Sequence, residues 1–329
     1  MKHASVKKLI ITRENAEYQI IHSLKTNREK RNKLHEVFVE GIECIKQAVH
    51  SKIKITRIIT ADYEALSDWA RELISSNNDA KIIEMAGPLY QSLCDKSNPS
   101  ELLATVELSP WEIHDINTEN PFIIVFDRPS DYGNLGTLIR SANAFCADGI
   151  FLVGHGIDMY ESKVIRASLG SIFSTKIVQI QSLDILKNFI EAEKQKNNMT
   201  VIGTDSAGDT SIRNEKIKRP VMVIIGNEAM GMSVKLKDLC DKIISIPMGG
   251  IVNSLNVSCA ASIIMWEITR MGSFLSMRAE GEILELINEM CALFHTLALP
   301  VADNNGFIYN QKEEDGMMIY LGGFKHGRI

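Results

Sequence analysis

Five short, almost uninterrupted apolar runs between residues 121 and 248 constrain the fold of this chain more than any other feature. In chain order they read PFIIVFD, GIFLVG, MTVIGTD, VMVIIGNE and DKIISIPM, and helix-like stretches such as GTLIRSANAFC and DILKNFIEAEKQKN lie between them. A strand that is apolar on both sides must be covered on both sides, which is typical of parallel sheets. The pattern therefore predicts an α/β fold in which helices pack on both faces of a parallel sheet.

The first hundred residues also alternate strands and helices, which indicates a second, smaller α/β domain. The polar, aperiodic segment SPWEIHDINTENP ends in proline, and we place the domain boundary there. The predicted division is a first domain over 1–108, a linker over 109–121 and a second domain over 122–272. Residues 273–329 contain a helix-like run, GEILELINEMCALFHTL, and no chemistry can be assigned to them.

Composition excludes several classes of protein. Hydrophobic residues make up 45% of the chain and charged residues 23%, as in ordinary globular proteins. No apolar run approaches the roughly 18–20 residues of a membrane span, and the apolar stretch near the N-terminus is too short for a signal peptide. The six cysteines are widely spaced, without a C-x-x-C pair. We therefore expect a cytoplasmic protein with reduced, mostly buried thiols, no membrane partner and no bound metal.

Charge is unevenly distributed. Residues 1–58 hold 13 Lys and Arg against 6 Glu, although the whole chain carries −5. The segment HSLKTNREKRNKLHE contributes five of these cations: Lys25, Arg28, Lys30, Arg31 and Lys33. Such a patch can bind nucleic acid, but it can equally be the solvated face of a helix, and charge alone does not decide between them.

Ligands of open α/β sheets bind beyond the carboxyl ends of the strands, and polar residues follow three of the predicted strands. In DRPSDYGNLGTLIRSANAF, Asn134 is a predicted helix N-cap, and Arg140 has a side chain long enough to reach back toward the strand end. In VMVIIGNEAMGMS, Gly226 allows close backbone approach to a ligand, and Glu228 could bind a ribose or a cation. The ordinary alternatives, a capped helix with a surface arginine and a Gly-Asn turn, stay open. GNLG does not fit the G-x-G-x-x-G fingerprint, so a nicotinamide-dependent dehydrogenase is not indicated.

The third such strand end is IPMGGIVNSLNVSCAASIIMWEITR, in which Ser254 and Asn256 interrupt apolar sequence at the start of a predicted helix. Ser254 is the predicted N-cap. Asn256 then has no structural role, because asparagine is a mediocre helix former within the first turn.

Taken in order and at these separations, the three segments resemble the signature motifs of the SpoU/TrmH family. Members of this family are S-adenosylmethionine-dependent RNA ribose 2′-O-methyltransferases of the SPOUT superfamily. The resemblance covers about 122–270, and KTNREKRNKLHEVFVEG resembles the L30e-like RNA-binding domain of many rRNA-directed members. It implies a SPOUT domain with a parallel sheet and a deep trefoil knot, a rare exception to unknotted topology. It further implies S-adenosyl-L-methionine as cofactor, RNA as substrate, a homodimer and no metal.

Site residues follow from the same resemblance, position by position. It implies a catalytic set made of Asn134, Arg140, Glu228, Ser254 and Asn256. Cofactor contacts would come from Thr204, Gly226, Ile246, Met248 and Leu255. RNA contacts would come from Arg166 and, in the basic segment, from Lys25, Arg28 and Arg31.

The role of Arg140 stays open between two readings. A guanidinium is practically never deprotonated in proteins, so its use as a general base would have to be transient. Alternatively, it is a cation that binds phosphate and stabilises the developing 2′-alkoxide.

Three functions are compatible with these motifs. The first is methylation of ribosomal RNA, with 23S rRNA as the expected target, and the basic first domain favours it. The second is methylation of tRNA by the same chemistry. The third is a non-catalytic RNA-binding or ribosome-assembly protein, which predicts loss of motif residues, whereas all five catalytic positions are retained.

Overall fold

In the computed structural model, the described residues are 8–95, 99–208, 210–251 and 254–270, with the backbone of two short strands, Val301–Ala302 and Ile308–Tyr309. The chain comprises two compact units, 1–271 and 272–329, and the first contains both of the larger sheets. The predicted helix over 281–297 lies outside the described residues. Within the described part of the chain, no helix is both long and apolar enough to cross a bilayer.

The first half of this unit is a five-stranded mixed sheet with the order β1-β4-β3-β5-β2, in which β5 runs antiparallel to both of its neighbours. Sequence analysis did not predict the edge strand β1. This strand has only four residues, and Leu9 and Ile10 in it are exposed, so it lacks the long apolar run of a buried strand. Its elements are β1 (Lys8–Ile11), α1 (Ala16–Thr26), α2 (Arg28–Leu34), β2 (Glu36–Glu40), α3 (Ile42–His50), β3 (Ile55–Thr60), α4 (Asp68–Ser76), β4 (Lys81–Met85), α5 (Gly87–Leu93) and β5 (Leu103–Glu107).

The basic segment forms two helices rather than one. Asn27 ends α1 with an extended backbone, and its side chain accepts a hydrogen bond from the Lys30 amide at 3.0 Å, which caps α2. Asparagine is among the best N-cap residues, so a single residue accounts for the break.

The second half contains a seven-stranded sheet with the order β10-β12-β9-β11-β6-β7-β8, and every pairing in it is parallel, as predicted. The strands β6, β7 and β11 are buried throughout, as their uninterrupted apolar runs require. The elements are β6 (Phe122–Asp127), α6 (Tyr132–Ala144), β7 (Gly149–Val153), α7 (Ser162–Ala167), β8 (Ile177–Ile180), α8 (Leu183–Asn197), β9 (Thr200–Thr204), β10 (Thr210–Ser211), β11 (Val221–Ile225), α9 (Val234–Lys237), β12 (Lys242–Ser245) and α10 (Val257–Arg270).

Successive residues of β6 point into different cores, which shows how the layers are arranged. Phe122, Ile124 and Phe126 pack with the buried faces of α6 and α10, whereas Ile123 and Val125 pack with α8. Helices therefore cover both faces of the sheet, which is the predicted three-layer architecture.

The last helix of the unit returns to the middle of the sheet. β12 lies three strands away from β6, yet α10 packs against α6, and the hydroxyls of Ser141 and Ser262 are 2.7 Å apart across that contact. The start of α10 thus lies beside the start of α6, at the carboxyl edge of the sheet. The trefoil knot itself, and the predicted domain boundaries, stay predictions.

Candidate functional site

The start of α6 differs from the prediction in a way that matters for the site. The helix begins at Tyr132, and the N-cap is Asp131, whose Oδ1 accepts a hydrogen bond from the Asn134 amide at 2.8 Å. The prediction that Asn134 caps this helix was therefore wrong. Because Asp131 does the capping, the Asn134 side chain is free to make contacts across the carboxyl edge of the sheet.

Glu228 is the centre of a hydrogen-bond network at this edge. Its carboxylate accepts from both the amide and the hydroxyl of Ser130, the latter at 2.7 Å, and from the Asp131 amide at 3.2 Å. It also accepts a long hydrogen bond of 3.5 Å from Nδ2 of Asn134. The negative charge is thereby held at the N-terminal end of α6, where the helix dipole stabilises it.

The loop that carries Glu228 is fixed by its own backbone. Asn227 and Gly231 exchange two backbone hydrogen bonds of 3.0 Å, and Gly231 has φ +65°. A Cβ on Gly226 would lie 2.4 Å from the Met232 nitrogen, so no larger residue fits there without a shift of the loop. These constraints hold Glu228 in place before any ligand binds.

Asn256, not Ser254, caps α10, so this prediction was also wrong. The Asn256 Oδ1 accepts hydrogen bonds from the amides of Ser258 (3.0 Å) and Cys259 (3.3 Å). At the same time its Nδ2 donates to the Asn134 Oδ1 at 2.8 Å. A continuous chain of contacts therefore joins Glu228, Asn134 and Asn256, which come from three separate motifs. Ser254 is exposed and forms no hydrogen bond within the described part of the chain.

A cavity of about 330 Å³ opens beside this chain of contacts, beyond the carboxyl ends of β9, β11 and β12. Its size is within the usual range for small-molecule sites. All five residues predicted to contact a cofactor line this cavity: Thr204, Gly226, Ile246, Met248 and Leu255. Glu228 and Ser254 line it as well.

Sequence analysis missed further lining residues, above all Asp205. The Lys237 ammonium lies 2.7 Å from its carboxylate, and this hydrogen bond is the main reason why the pKa of Asp205 is below its ordinary value. Asp205 therefore carries a negative charge at neutral pH. An acidic residue directly after a predicted strand was the signal that could have identified it.

Arg140 does not join this group. It is the ninth residue of α6, in the third turn of the helix, and it lies about 120° around the helix from Asn134. Its side chain is exposed, does not line the cavity, and makes no hydrogen bond or ion pair with any other described residue.

Of the predicted RNA contacts, Arg31 is buried instead, with 2% of its surface exposed. Its guanidinium pairs with Asp158 at 2.7 Å and Glu161 at 3.0 Å, and it donates to the carbonyl oxygens of Leu24 and Lys25 at 2.9 Å. Arg31 thus fastens α2 to the second half of the unit, which argues against direct RNA contact.

Arg166 and Lys25 meet in a second cluster between the halves. Arg166 bonds to both Glu40 and Asp95 at 2.6 Å, and Lys25 pairs with Asp95 at 2.6 Å. Partial burial raises the pKa of Asp95, but the hydrogen bonds from Lys25 and Arg166 outweigh it and leave that pKa below its ordinary value. Among the four predicted RNA contacts, Arg28 alone is exposed and forms no side-chain bond within the described residues.

Comparison with known proteins agrees with this geometry. Residues 121–266 match the SpoU rRNA Methylase family, and residues 15–104 match the SpoU L30e-like domain. The chain is 35% identical over 263 residues to the 23S rRNA (uridine(2479)-2′-O)-methyltransferase of Streptomyces viridochromogenes, covering 79% of this chain and 91% of that protein. It is 28% identical to a putative TrmH family tRNA/rRNA methyltransferase of Staphylococcus saprophyticus, covering 75% of this chain and 100% of that protein.

Solved structures give the same result. The SpoU methyltransferase AviRb from Streptomyces viridochromogenes, in complex with AdoMet, aligns with a TM-score of 0.73 at 35% identity over 78% of this chain and 98% of its own. The AdoMet-bound rRNA methyltransferase from Sinorhizobium meliloti aligns with a TM-score of 0.68 at 25% identity, over 80% and 97%.

The fold and the site therefore define an S-adenosylmethionine-dependent RNA 2′-O-methyltransferase. More narrowly, the chain belongs to the SpoU rRNA methylase family. The predicted family, α/β fold class, enzyme class and cofactor are confirmed.

Proposed function

We propose that this protein transfers the methyl group of S-adenosylmethionine to a ribose 2′-hydroxyl of 23S ribosomal RNA. The observation that carries the proposal is the chain of contacts from Glu228 through Asn134 to Asn256, at the side of a cavity large enough for the cofactor. The name of the Streptomyces viridochromogenes relative supports 23S rRNA as the target. Such a substrate would place the enzyme in the cytoplasm.

The cavity suits the parts of S-adenosylmethionine. Ile246, Leu255 and Val257 offer apolar walls for the adenine ring, and Gly226 permits close backbone contact. The Asp205 carboxylate can accept hydrogen bonds from ribose hydroxyls or pair with the ammonium group. When bound, S-adenosylmethionine supplies a methyl group on a positively charged sulfur, which is already reactive toward an oxygen nucleophile.

What remains for the protein is mainly to position the 2′-hydroxyl. Asn134 donates to Glu228 and accepts from Asn256, so its amide is held in one orientation. The Asn134 Oδ1 has a second lone pair that can accept a hydrogen bond from the substrate hydroxyl. Orientation of this kind can supply several kcal/mol of barrier reduction, up to about 7–11 kcal/mol in favourable cases.

The active form in this proposal is a homodimer. On α10, Cys259, Ile263 and Trp266 form an exposed strip with helical spacing, and Ile263 and Trp266 are 42% and 54% exposed. A second copy covering this strip would also meet the outward face of α6, on which Arg140 lies. Arg140 would then act as a cation at the partner's site rather than at its own.

The two halves would divide the work. Residues 1–108 would hold RNA through exposed cations such as Arg28, Lys30 and Lys33, and residues 122–272 would carry out the transfer. The clusters around Arg31 and Arg166 would keep the two halves in a fixed relation.

The test is methyl transfer from tritiated S-adenosylmethionine to unmodified 23S rRNA, with total tRNA as the competing substrate. We expect label in 23S rRNA, and loss of label with Asn134→Ala but not with Asn188→Ala, which changes an exposed asparagine on α8. Label in tRNA alone would move the target to tRNA. An absence of S-adenosylmethionine binding in calorimetry would favour a non-catalytic RNA-binding protein.

A further inference from the structure

A second cavity, of about 190 Å³, opens at the carboxyl edge of the same seven-stranded sheet. It lies beyond β7 and β8, which follow β6 in the strand order. At about 4.8 Å per strand, β8 is roughly 10 Å from β6, the strand that leads into the Asn134 network. The lining residues are Arg28, Gly154, His155, Gly156, Gln179, Ile180 and Gln181.

The polar groups around this second cavity are largely available for a ligand. Arg28, His155 and Gln181 are exposed, and none of them makes a side-chain hydrogen bond or ion pair with another described residue. Gln179 is held differently, because its Nε2 donates to the Leu152 carbonyl at 3.1 Å. Its Oε1 remains available as an acceptor.

The loop that carries His155 is connected to the methyl-transfer site. Gly154 has φ +77°, and a Cβ there would lie 2.7 Å from the Arg128 side chain. The Ile157 amide donates to the Pro129 carbonyl at 3.1 Å. The next residue, Ser130, binds the Glu228 carboxylate. The two cavities are therefore joined by one continuous backbone segment, 128–130.

The other wall of the second cavity comes from the first half of the unit. Arg28 is the first residue of α2, and Arg31 in the same helix is clamped to Asp158 and Glu161. The ion pairs of Arg31 thus fix the position of α2, and with it the position of Arg28 across the cavity from His155.

We propose that this cavity binds one unpaired nucleotide of the RNA substrate, close in sequence to the methylated one. Arg28 pairs with a phosphate, for which a guanidinium is well suited. Gln181 and Gln179 bind a base edge, and His155 stacks on the base, as is usual for unpaired RNA. This assignment rests on the proposed function and adds a specificity site to it.

The test uses fluorescence anisotropy with a fluorescein-labelled pool of random RNA hexamers, and methyl transfer to 23S rRNA. Arg28→Gln should weaken hexamer binding about tenfold, the loss expected for one charged hydrogen bond, and lower the slope of log affinity against log salt by about 0.7. Gln181→Ala should weaken hexamer binding but leave that slope unchanged, because glutamine carries no charge. The controls are Lys218→Gln and Gln195→Ala, exposed positions just before β11 and near the end of α8, toward the opposite edge of the sheet.

In every variant, calorimetric affinity for S-adenosylmethionine should equal that of the unchanged protein, because none of these residues lines the first cavity. Wild-type hexamer affinity and salt slope in Arg28→Gln would overturn the nucleotide site, even if 23S rRNA is methylated. Failure of the unchanged protein to methylate any RNA would overturn the proposed function instead, and the hexamer measurements would still decide whether this cavity binds RNA.

Discussion

Asn256 has two roles that can be separated by substitution, since one atom of its amide caps α10 and the other holds Asn134. Asn256→Ala removes both. Loss of an N-cap costs about 1 kcal/mol, and the exposed amide–amide bond to Asn134 contributes about 0.5–1 kcal/mol. We therefore expect α10 to be destabilised by about 2 kcal/mol. At about 1.4 kcal/mol per factor of ten, its amides should exchange with deuterium roughly 30-fold faster in the 257–270 region.

Asn256→Asp separates the two effects. The aspartate keeps the acceptor oxygens that cap α10, and its negative charge suits a helix N-terminus, so exchange in α10 should stay within a few-fold of the unchanged protein. Its carboxylate cannot donate to the Asn134 Oδ1, and it adds a negative charge near Glu228. The Asn134 amide then loses its fixed orientation, and we expect single-turnover methyl transfer to fall at least about tenfold.

The matched control is Asn188→Asp, which makes the same chemical change on the exposed surface of α8. A wild-type transfer rate for Asn256→Asp would refute the positioning role of the Asn134–Asn256 contact. An unchanged exchange rate for Asn256→Ala would show that the cap contributes nothing to α10.

Three further predictions concern other parts of the molecule. Arg31→Met leaves Asp158 and Glu161 without their buried partner and should lower the free energy of unfolding by about 3–5 kcal/mol in urea titrations. The control Lys30→Met, at an exposed position, should change that free energy by less than about 0.5 kcal/mol. Equal effects of the two variants would show that the Arg31 ion pairs do not stabilise the fold. Gly226→Ala should reduce calorimetric affinity for S-adenosylmethionine, because its Cβ meets the loop backbone at 2.4 Å; an unchanged affinity would show that the loop adapts. Arg140→Ala should abolish transfer while S-adenosylmethionine still binds, and a full rate with Arg140→Lys would rule out a role specific to guanidine.

The parallel sheet was predictable because its strands are buried on both faces and therefore contain few polar residues. β6, with the sequence FIIVFD, is buried at all six positions, so its apolar run could hardly be anything else. The edge strand β1 has the same kind of sequence, KLII, but it is short and half exposed. Nothing local distinguishes such a segment from an irregular N-terminus.

Helix caps were predicted less well, for a physical reason. Both Asp131 and Asn134 are good N-caps, and so are Ser254 and Asn256, so propensity alone does not choose between neighbouring candidates. Tertiary contacts decide: Asn134 is needed by Glu228 and Asn256, which come from distant parts of the chain. In α6 the N-cap is therefore Asp131, three positions before Asn134.

Which of the basic residues are exposed and which are buried could not be predicted from the sequence. Arg28 and Arg31 are three residues apart in one basic run, yet Arg28 is exposed and Arg31 is 2% exposed. The difference is made by Asp158 and Glu161, more than 120 residues away. A basic run in the sequence predicts an exposed basic surface only where no acidic residue from a distant part of the chain pairs with its side chains.

The central claim is tested most directly by the chemical position of the methyl group. Unmodified 23S rRNA would be incubated with the protein and S-adenosylmethionine, digested to nucleosides and analysed by mass spectrometry. We expect a single new 2′-O-methylated nucleoside, with the mass increase on the ribose and resistance of that linkage to alkali. A methyl group on a base, or no methylation of 23S rRNA while S-adenosylmethionine binds normally, would contradict it.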